Sequence, residues 1–198
     1  MMKQDIVVHI VTDQLSFFDQ LLARGIMGSA ISGASIYDFL ANEMGITPEY
    51  ISHRIQTIFL NGKAVDDVQK TFLQQDSTLA LSAAMPGLVG ATFRKSGFYS
   101  GLRKNISYEQ QSTVSHEQKI TFTLKLFNTI AKELGPGLLK KGVLIKGYSF
   151  QDFILCHQER FPTVCKKQMV NEMGLKIEDF LSYEWKNKTV SLIITEKQ

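Results

Sequence analysis

The sequence has few cysteines and no long apolar run. Its 198 residues include two cysteines, Cys156 and Cys165, which form no CxxC pair, and a disulfide scaffold normally carries more. No apolar stretch approaches the roughly 18 residues that span a bilayer. The apolar run around His9 is short, and no small-residue cleavage site follows it. We therefore expect a cytoplasmic protein with two reduced thiols and no membrane partner.

Recognisable catalytic, metal-binding and nucleotide-binding motifs are also missing. The chain contains no Walker pattern, no G-x-G-x-x-G, no HExxH and no G-x-S-x-G elbow. We therefore assign no catalytic residue, no metal site and no cofactor, and an enzyme is not the expected class. The net charge of +3 is too small to imply a nucleic-acid partner. Cys165 lies beside Lys166 and Lys167, which would favour a thiol of lowered pKa.

The apolar patterning predicts an α+β protein. Strands are expected at DIVVHIVT, KITFTLKLF and KTVSLIITE, and Asn61-Gly62 predicts a tight hairpin turn. Helices are expected at QLSFFDQLLARG and at SIYDFLANEMG, where Ser35 and Asp38 have capping-box spacing. Residues 134–137, LGPG, predict a turn, and VCKKQMVNEMG predicts a helix.

The stretch LSAAMPGLVGATFRKSGFYSGLRKN combines glycines with cations and contains no acid. It suggests a division into a domain at 1–90, a Gly-rich basic connector at 91–112 and a second α+β domain at 113–198. Two interpretations of this stretch remain open. It is either a connector with solvated cations or an anion-binding segment, in which Arg94, Lys95, Tyr99 and Arg103 would hold a phosphate-bearing small molecule.

Two short stretches suggest an internal repeat. ISGASIYDFL, from Ile31 to Leu40, parallels IKGYSFQDFI, from Ile145 to Ile154, at a constant offset of 114 positions. Ile, Gly, Ser, Asp and Phe coincide, and each copy is predicted between a strand and a helix. The alternative is that both stretches are simply good helix starts.

The first half resembles the β-grasp, ubiquitin-like fold of small sulfur carriers. The resemblance covers roughly residues 35–90 and lies in SIYDFLANEMG, then IFLNGKAVDD, then FLQQDSTLALSAAMPGLVG. Those carriers act through a terminal Gly-Gly carboxylate, whereas Gly87 and Gly90 are separated here and further residues follow. The resemblance therefore implies a fold without that activity.

From these observations we expect a non-catalytic binding or assembly module that engages a protein partner or forms a homo-oligomer. The alternatives are an anion- or small-ligand-binding protein that uses the basic Gly-rich segment, and an enzyme whose site lies between the two halves.

Overall fold

The computed structural model describes residues 5–85, 87–95, 97 and 118–197. Most of the predicted connector, with Tyr99 and Arg103, lies outside these residues. The described residues form ten strands: β1 (Asp5–Thr12), β2 (Ile26–Ile31), β3 (Thr57–Leu60), β4 (Lys63–Ala64), β5 (Thr78–Ser82), β6 (Lys119–Leu126), β7 (Val143–Lys146), β8 (Cys165–Val170), β9 (Met173–Gly174) and β10 (Thr189–Glu196).

The α-helices of the described residues are α1 (Asp19–Arg24), α2 (Ile36–Asp38), α3 (Pro48–His53), α4 (Gly87–Phe93), α5 (Asn128–Lys141), α6 (Gly147–Cys156), α7 (Phe161–Val164) and α8 (Ile177–Ser182). A 3₁₀ turn (Leu15–Phe18) precedes α1, and a π-helical turn (Phe39–Glu43) continues α2. Helices and strands of both pairing directions confirm the mixed α and β class. None of these helices combines the length and apolar character needed to cross a membrane.

The chain forms two compact units, and the segments that make up each unit differ from the expected division at residues 90 and 113. One, the two-segment unit, joins Met1–Met27 to Lys132–Gln198, and the other, the continuous unit, is Gly28–Ala131. The physical reason is strand pairing: β1 pairs with β8 and β10, near the end of the chain, and β6 pairs with β5. Each unit thus contains a strand from the other half of the sequence.

The sheet of the two-segment unit runs in the order β7-β10-β1-β8-β9. Its two central strands, β1 and β10, are parallel, and the outer pairings are antiparallel. One face is buried beneath an aromatic cluster in which Phe150 and Phe180 each lie 5.1 Å from the Trp185 ring. The strand residues of that face, such as Val8 and Leu192, are fully buried. This cluster is the core of the unit.

The sheet of the continuous unit runs in the order β4-β3-β5-β6-β2. Its β5–β6 pair is parallel, while β3 is antiparallel to both β4 and β5. The Phe39 and Phe122 ring centroids lie 4.9 Å apart in an edge-to-face arrangement, and Gly28 leaves the space that Phe122 fills. The π-helical turn therefore packs on β6 through an aromatic pair.

Several local predictions are confirmed. Asn61 and Gly62 both have positive φ, 51° and 78°, as a type I′ hairpin turn between β3 and β4 requires. The Ser35 side chain accepts the Asp38 backbone N–H, and the Asp38 carboxylate accepts the Ser35 N–H, which completes the capping box.

Two local predictions are wrong. Residues 134–137 lie inside α5, where Gly135 sits so close to Leu22 that a Cβ would come within 2.6 Å of that side chain. The stretch predicted as a helix forms β8, and Asn171 and Glu172, both at positive φ, connect it to β9. Pairing with β1 overrides the helical preference of Lys, Gln and Met in this strand.

Candidate functional site

Arg94 and Lys95 follow α4 in the continuous unit. The backbone N–H of Lys95 donates to the Gln56 carbonyl at 2.7 Å, and its Nζ donates to the Ile51 carbonyl at 2.9 Å. Burial lowers the pKa of the Lys95 ammonium, because desolvation disfavours its charged form. Arg94 is exposed. The two neighbouring cations therefore occupy different environments, an exposed one for Arg94 and a half-buried one for Lys95.

Lys95 lines a cavity of about 350 Å³ in the continuous unit. The other lining residues are Tyr37, Pro48, Ile51, Ser52, Asp66, Asp67, Val68 and Gln69. The Asp67 carboxylate accepts the backbone N–H groups of Gln69 and Lys70, which fixes the loop. The structure thus places Lys95 in the same cavity wall as the acidic pair Asp66 and Asp67. Tyr99 and Arg103, the other two predicted ligands, lie outside the described residues.

The histidines and cysteines of the described residues form no metal cluster with neighbouring acids. His157 hydrogen-bonds through Nδ1 to the Phe153 carbonyl at 2.8 Å and through Nε2 to the Gln20 side chain at 2.9 Å. Burial raises the pKa of the Cys165 thiol to about 12, and the Asp13 carboxylate adds to the increase. The expectation of a lowered pKa at Cys165 is therefore wrong, because burial outweighs the adjacent lysines.

The face of the two-segment sheet opposite the aromatic core carries a set of partly exposed apolar side chains. The strand register aligns Leu144, Ser191 and Val7 in one row across β7, β10 and β1. The next row aligns Ile193 with His9 on β1 and Met169 on β8. The third aligns Thr195, Val11 and Lys167. We call these nine residues the open face.

Burial distinguishes the open face from the core face of the same strands. Val7 and Leu144 are each 44% exposed, whereas Val8 and Ile145, which alternate with them, are 0% exposed. Successive side chains of a strand point to opposite faces of the sheet, so the difference in exposure is a difference between the two faces of the sheet. The open face is a partly apolar surface, with five apolar and four polar side chains, on a sheet whose other side is already packed.

Hydrogen bonds fix the His9 side chain and the Val7 backbone at the open face. The His9 Nε2 lies 3.0 Å from the Thr195 hydroxyl oxygen, so a bond joins β1 to β10 on this face. The Val7 N–H donates to the Asn171 side-chain oxygen at 3.0 Å, and the Asn171 N–H donates to the Val7 carbonyl at 2.8 Å. These bonds hold Val7 and His9 in defined positions.

A second cavity, of about 870 Å³, adjoins the open face within the two-segment unit. Its lining residues are Val11, Leu15, Pro136, Gly137, Lys140, Ile194, Thr195, Glu196 and Lys197. It lies where β1 and β10, the parallel pair, both end. Neither this cavity nor the open face was predicted from the sequence. The period-2 alternation of Val7, His9 and Val11 was the available signal.

Comparison of the chain with protein-family models, with curated proteins and with solved structures finds no match.

Proposed function

We propose that this protein is a non-catalytic assembly module that associates with a second copy of itself. We further propose β-grasp character for the continuous unit. The helical segment before β3, the hairpin of β3 and β4, and the parallel pairing of β5 with β6 support that assignment. The observation that carries the functional proposal is the open face.

An apolar face of this kind favours association because burial removes it from water. Full burial of a Val or Leu side chain contributes roughly 1.5–3 kcal/mol, and about half of that gain remains for side chains that are 44% exposed, as Val7 and Leu144 are. In a dimer, Val7 and Leu144 of both protomers contribute to the free energy of association in this way. The hydrogen-bonded His9 and Thr195 side chains lie among them.

Charge placement favours a second copy as the occupant. Asp5 lies on β1 two residues before Val7, and Lys167 pairs with Val11 toward the other end of the same strand. In a two-fold arrangement with antiparallel β1 strands, Asp5 of each protomer faces Lys167 of the other. A two-fold interface must be self-complementary in this way.

The size of the open face predicts a weak dimer. Four strands about 4.8 Å apart and the three side-chain rows of the open face about 6.7 Å apart give roughly 400 Å² per protomer. Two such faces bury about 800 Å², below the roughly 1,200 Å² of stable interfaces and at the low end of transient ones. We therefore expect dissociation in the micromolar range or above, which corresponds to about −8 kcal/mol or weaker.

Light scattering across a concentration series tests this function. The wild-type protein should pass from monomer to dimer as its concentration rises, and Val7→Lys combined with Leu144→Lys should remain monomeric. Leu155→Lys is the matched control, since Leu155 is 52% exposed on α6 and lies away from the open face. A wild-type protein that stays monomeric at all concentrations would refute the proposal. Dimerisation that is lost equally in the control would refute the choice of surface.

A second candidate function is the binding of a phosphate-bearing small molecule at the Lys95 cavity. An anion there would offset the desolvation that lowers the Lys95 pKa. The adjacent Asp66 and Asp67 oppose an anion, so this function ranks second. Phosphate or a nucleotide should raise the melting temperature of the wild-type protein, and Arg94→Ala with Lys95→Ala should abolish the shift. A shift that persists in this variant places the anion elsewhere.

A further inference from the structure

The cavity beside the open face lies at the carboxyl ends of the parallel strands β1 and β10. Val11 is the second-last residue of β1, and Thr195 and Glu196 are the last two residues of β10. The Lys197 N–H donates to the Thr12 carbonyl at 2.8 Å, so the two strand ends stay joined just where the cavity begins. In sheets with parallel strands, ligands bind preferentially outside the carboxyl ends of those strands.

The walls of the cavity combine an apolar surface with an excess of positive charge. Val11, Leu15 and Pro136 supply apolar side chains. Two cations, Lys140 and Lys197, and one acid, Glu196, are the charged groups among the lining residues, which leaves one net positive charge. Such a lining fits a ligand that has an apolar body and a single anionic group.

The volume is also appropriate for a small ligand. About 870 Å³ lies within the range of roughly 300–1,000 Å³ that is typical of small-molecule sites. Gly137 on α5 leaves part of this wall open, because a Cβ built there meets nothing within 4 Å. A larger side chain at Gly137 therefore has room to project without strain from its immediate neighbours.

We propose that this cavity binds an amphipathic monoanion, a small molecule with an apolar body and one carboxylate or sulfonate. Lys140 and Lys197 contact the anionic group, while Val11, Leu15 and Pro136 contact the apolar body. The cavity shares Val11 and Thr195 with the open face, whereas Val7 and Leu144 do not line it.

Fluorescence titration with 8-anilinonaphthalene-1-sulfonate tests the proposal, with octanoate as the competitor. We expect one site per chain and displacement of the dye by octanoate. Lys140→Met with Lys197→Met should weaken binding about tenfold or more, as expected for loss of charge-assisted hydrogen bonds. Gly137→Phe should block the site, whereas Lys141→Met, which removes a charge from α5 outside the cavity, should bind normally.

Three outcomes would overturn the proposal. They are no dye binding by the wild-type protein, binding that survives both the double-lysine change and Gly137→Phe, and binding weakened equally by Lys141→Met. Circular dichroism of each variant shows whether it is folded, and a folded Lys140→Met, Lys197→Met variant suffices if Gly137→Phe does not fold. Val7→Lys with Leu144→Lys should bind the dye normally, so failure of the dimer and failure of this site are distinguishable.

Discussion

The same substitution, glycine to alanine, should have opposite effects at two helix positions of the two-segment unit. Gly147 begins α6, and a Cβ there would lie 1.8 Å from the Trp185 carbonyl oxygen and 2.7 Å from the Lys188 carbonyl oxygen. Both obstacles are backbone atoms, which cannot rotate away. At Gly137, within α5, a Cβ meets nothing within 4 Å.

The magnitude at Gly147 follows from what must move. To reach an ordinary Cβ contact, the start of α6 must separate from the Trp185–Lys188 backbone by more than 1 Å, which breaks the 2.8 Å hydrogen bond from the Gly147 N–H to the Lys188 carbonyl. Overpacking costs about 1–3 kcal/mol and the lost bond about 1 kcal/mol, so Gly147→Ala should destabilise by about 2–4 kcal/mol. Gly137→Ala should stabilise by about 0.5–1 kcal/mol through helix propensity.

Trp185, the single tryptophan of the chain, reports on this region directly. It is fully buried and packs against Phe150, so its fluorescence should follow unfolding in urea. In thermal unfolding, about 2–4 °C per kcal/mol gives a decrease of roughly 4–16 °C for Gly147→Ala and an increase of about 1–4 °C for Gly137→Ala. Equal stability of Gly147→Ala and the wild-type protein would refute the packing described here.

Two further predictions concern the thiols and the first helix cap. At pH 8 Cys156, which is exposed, should react with a thiol reagent, while the buried Cys165 should react only on unfolding, so Cys156→Ser should show no native reaction. Folding raises the pKa of the Cys165 thiol from 9.0 to about 12, so the contribution of this thiol to stability is complete below pH 9. Above pH 9 the free energy of unfolding should fall by up to about 1.4 kcal/mol per pH unit. The Cys165→Ala variant should lack this slope. Ser35→Ala should cost about 1 kcal/mol by urea unfolding, because it removes the cap shared with Asp38, whereas Ser149→Ala, inside α6, should cost less. Equal costs at the two serines would contradict the assigned helix starts.

The fold elements that could be predicted are those with strong local chemistry. Asn61-Gly62 adopts positive φ at little cost, so the first hairpin was evident from two residues. The second hairpin turns at Asn171-Glu172, and Glu gives no such signal, so β8 and β9 were missed. A Pro between glycines normally interrupts a helix, but α5 accommodates Pro136 while Gly135 packs closely on Leu22.

The internal repeat stays a prediction, and its two copies behave differently. Ser35 is the N-cap before α2, whereas α6 starts at Gly147 with Lys146 as its N-cap, so Ser149 lies within the helix. Gly33 has a φ of 86°, while Gly147 is required for its close approach to Trp185. The shared letters therefore serve different physical roles, which sequence comparison alone could not separate.

The candidate sites, too, depend on tertiary contacts that the sequence does not reveal. Lys95 could be selected from its basic, Gly-rich surroundings, but its proximity to Asp66 and Asp67 depends on tertiary structure. The open face combines Val7 and Leu144, which are far apart in sequence and become neighbours of Ser191 only through strand register. Each strand displays alternation, but its pairing partners depend on contacts that no local pattern encodes.

Sedimentation velocity of charge-reversed variants tests the central claim, self-association through the open face, most directly. Asp5→Lys and Lys167→Asp should each weaken the dimer several-fold, since each loses two symmetric ion pairs worth about 0.2–1 kcal/mol apiece and gains like-charge repulsion. The double variant restores opposite charges and should dimerise about as well as the wild-type protein. Equal association of all four proteins, or a double variant weaker than either single one, would contradict the account.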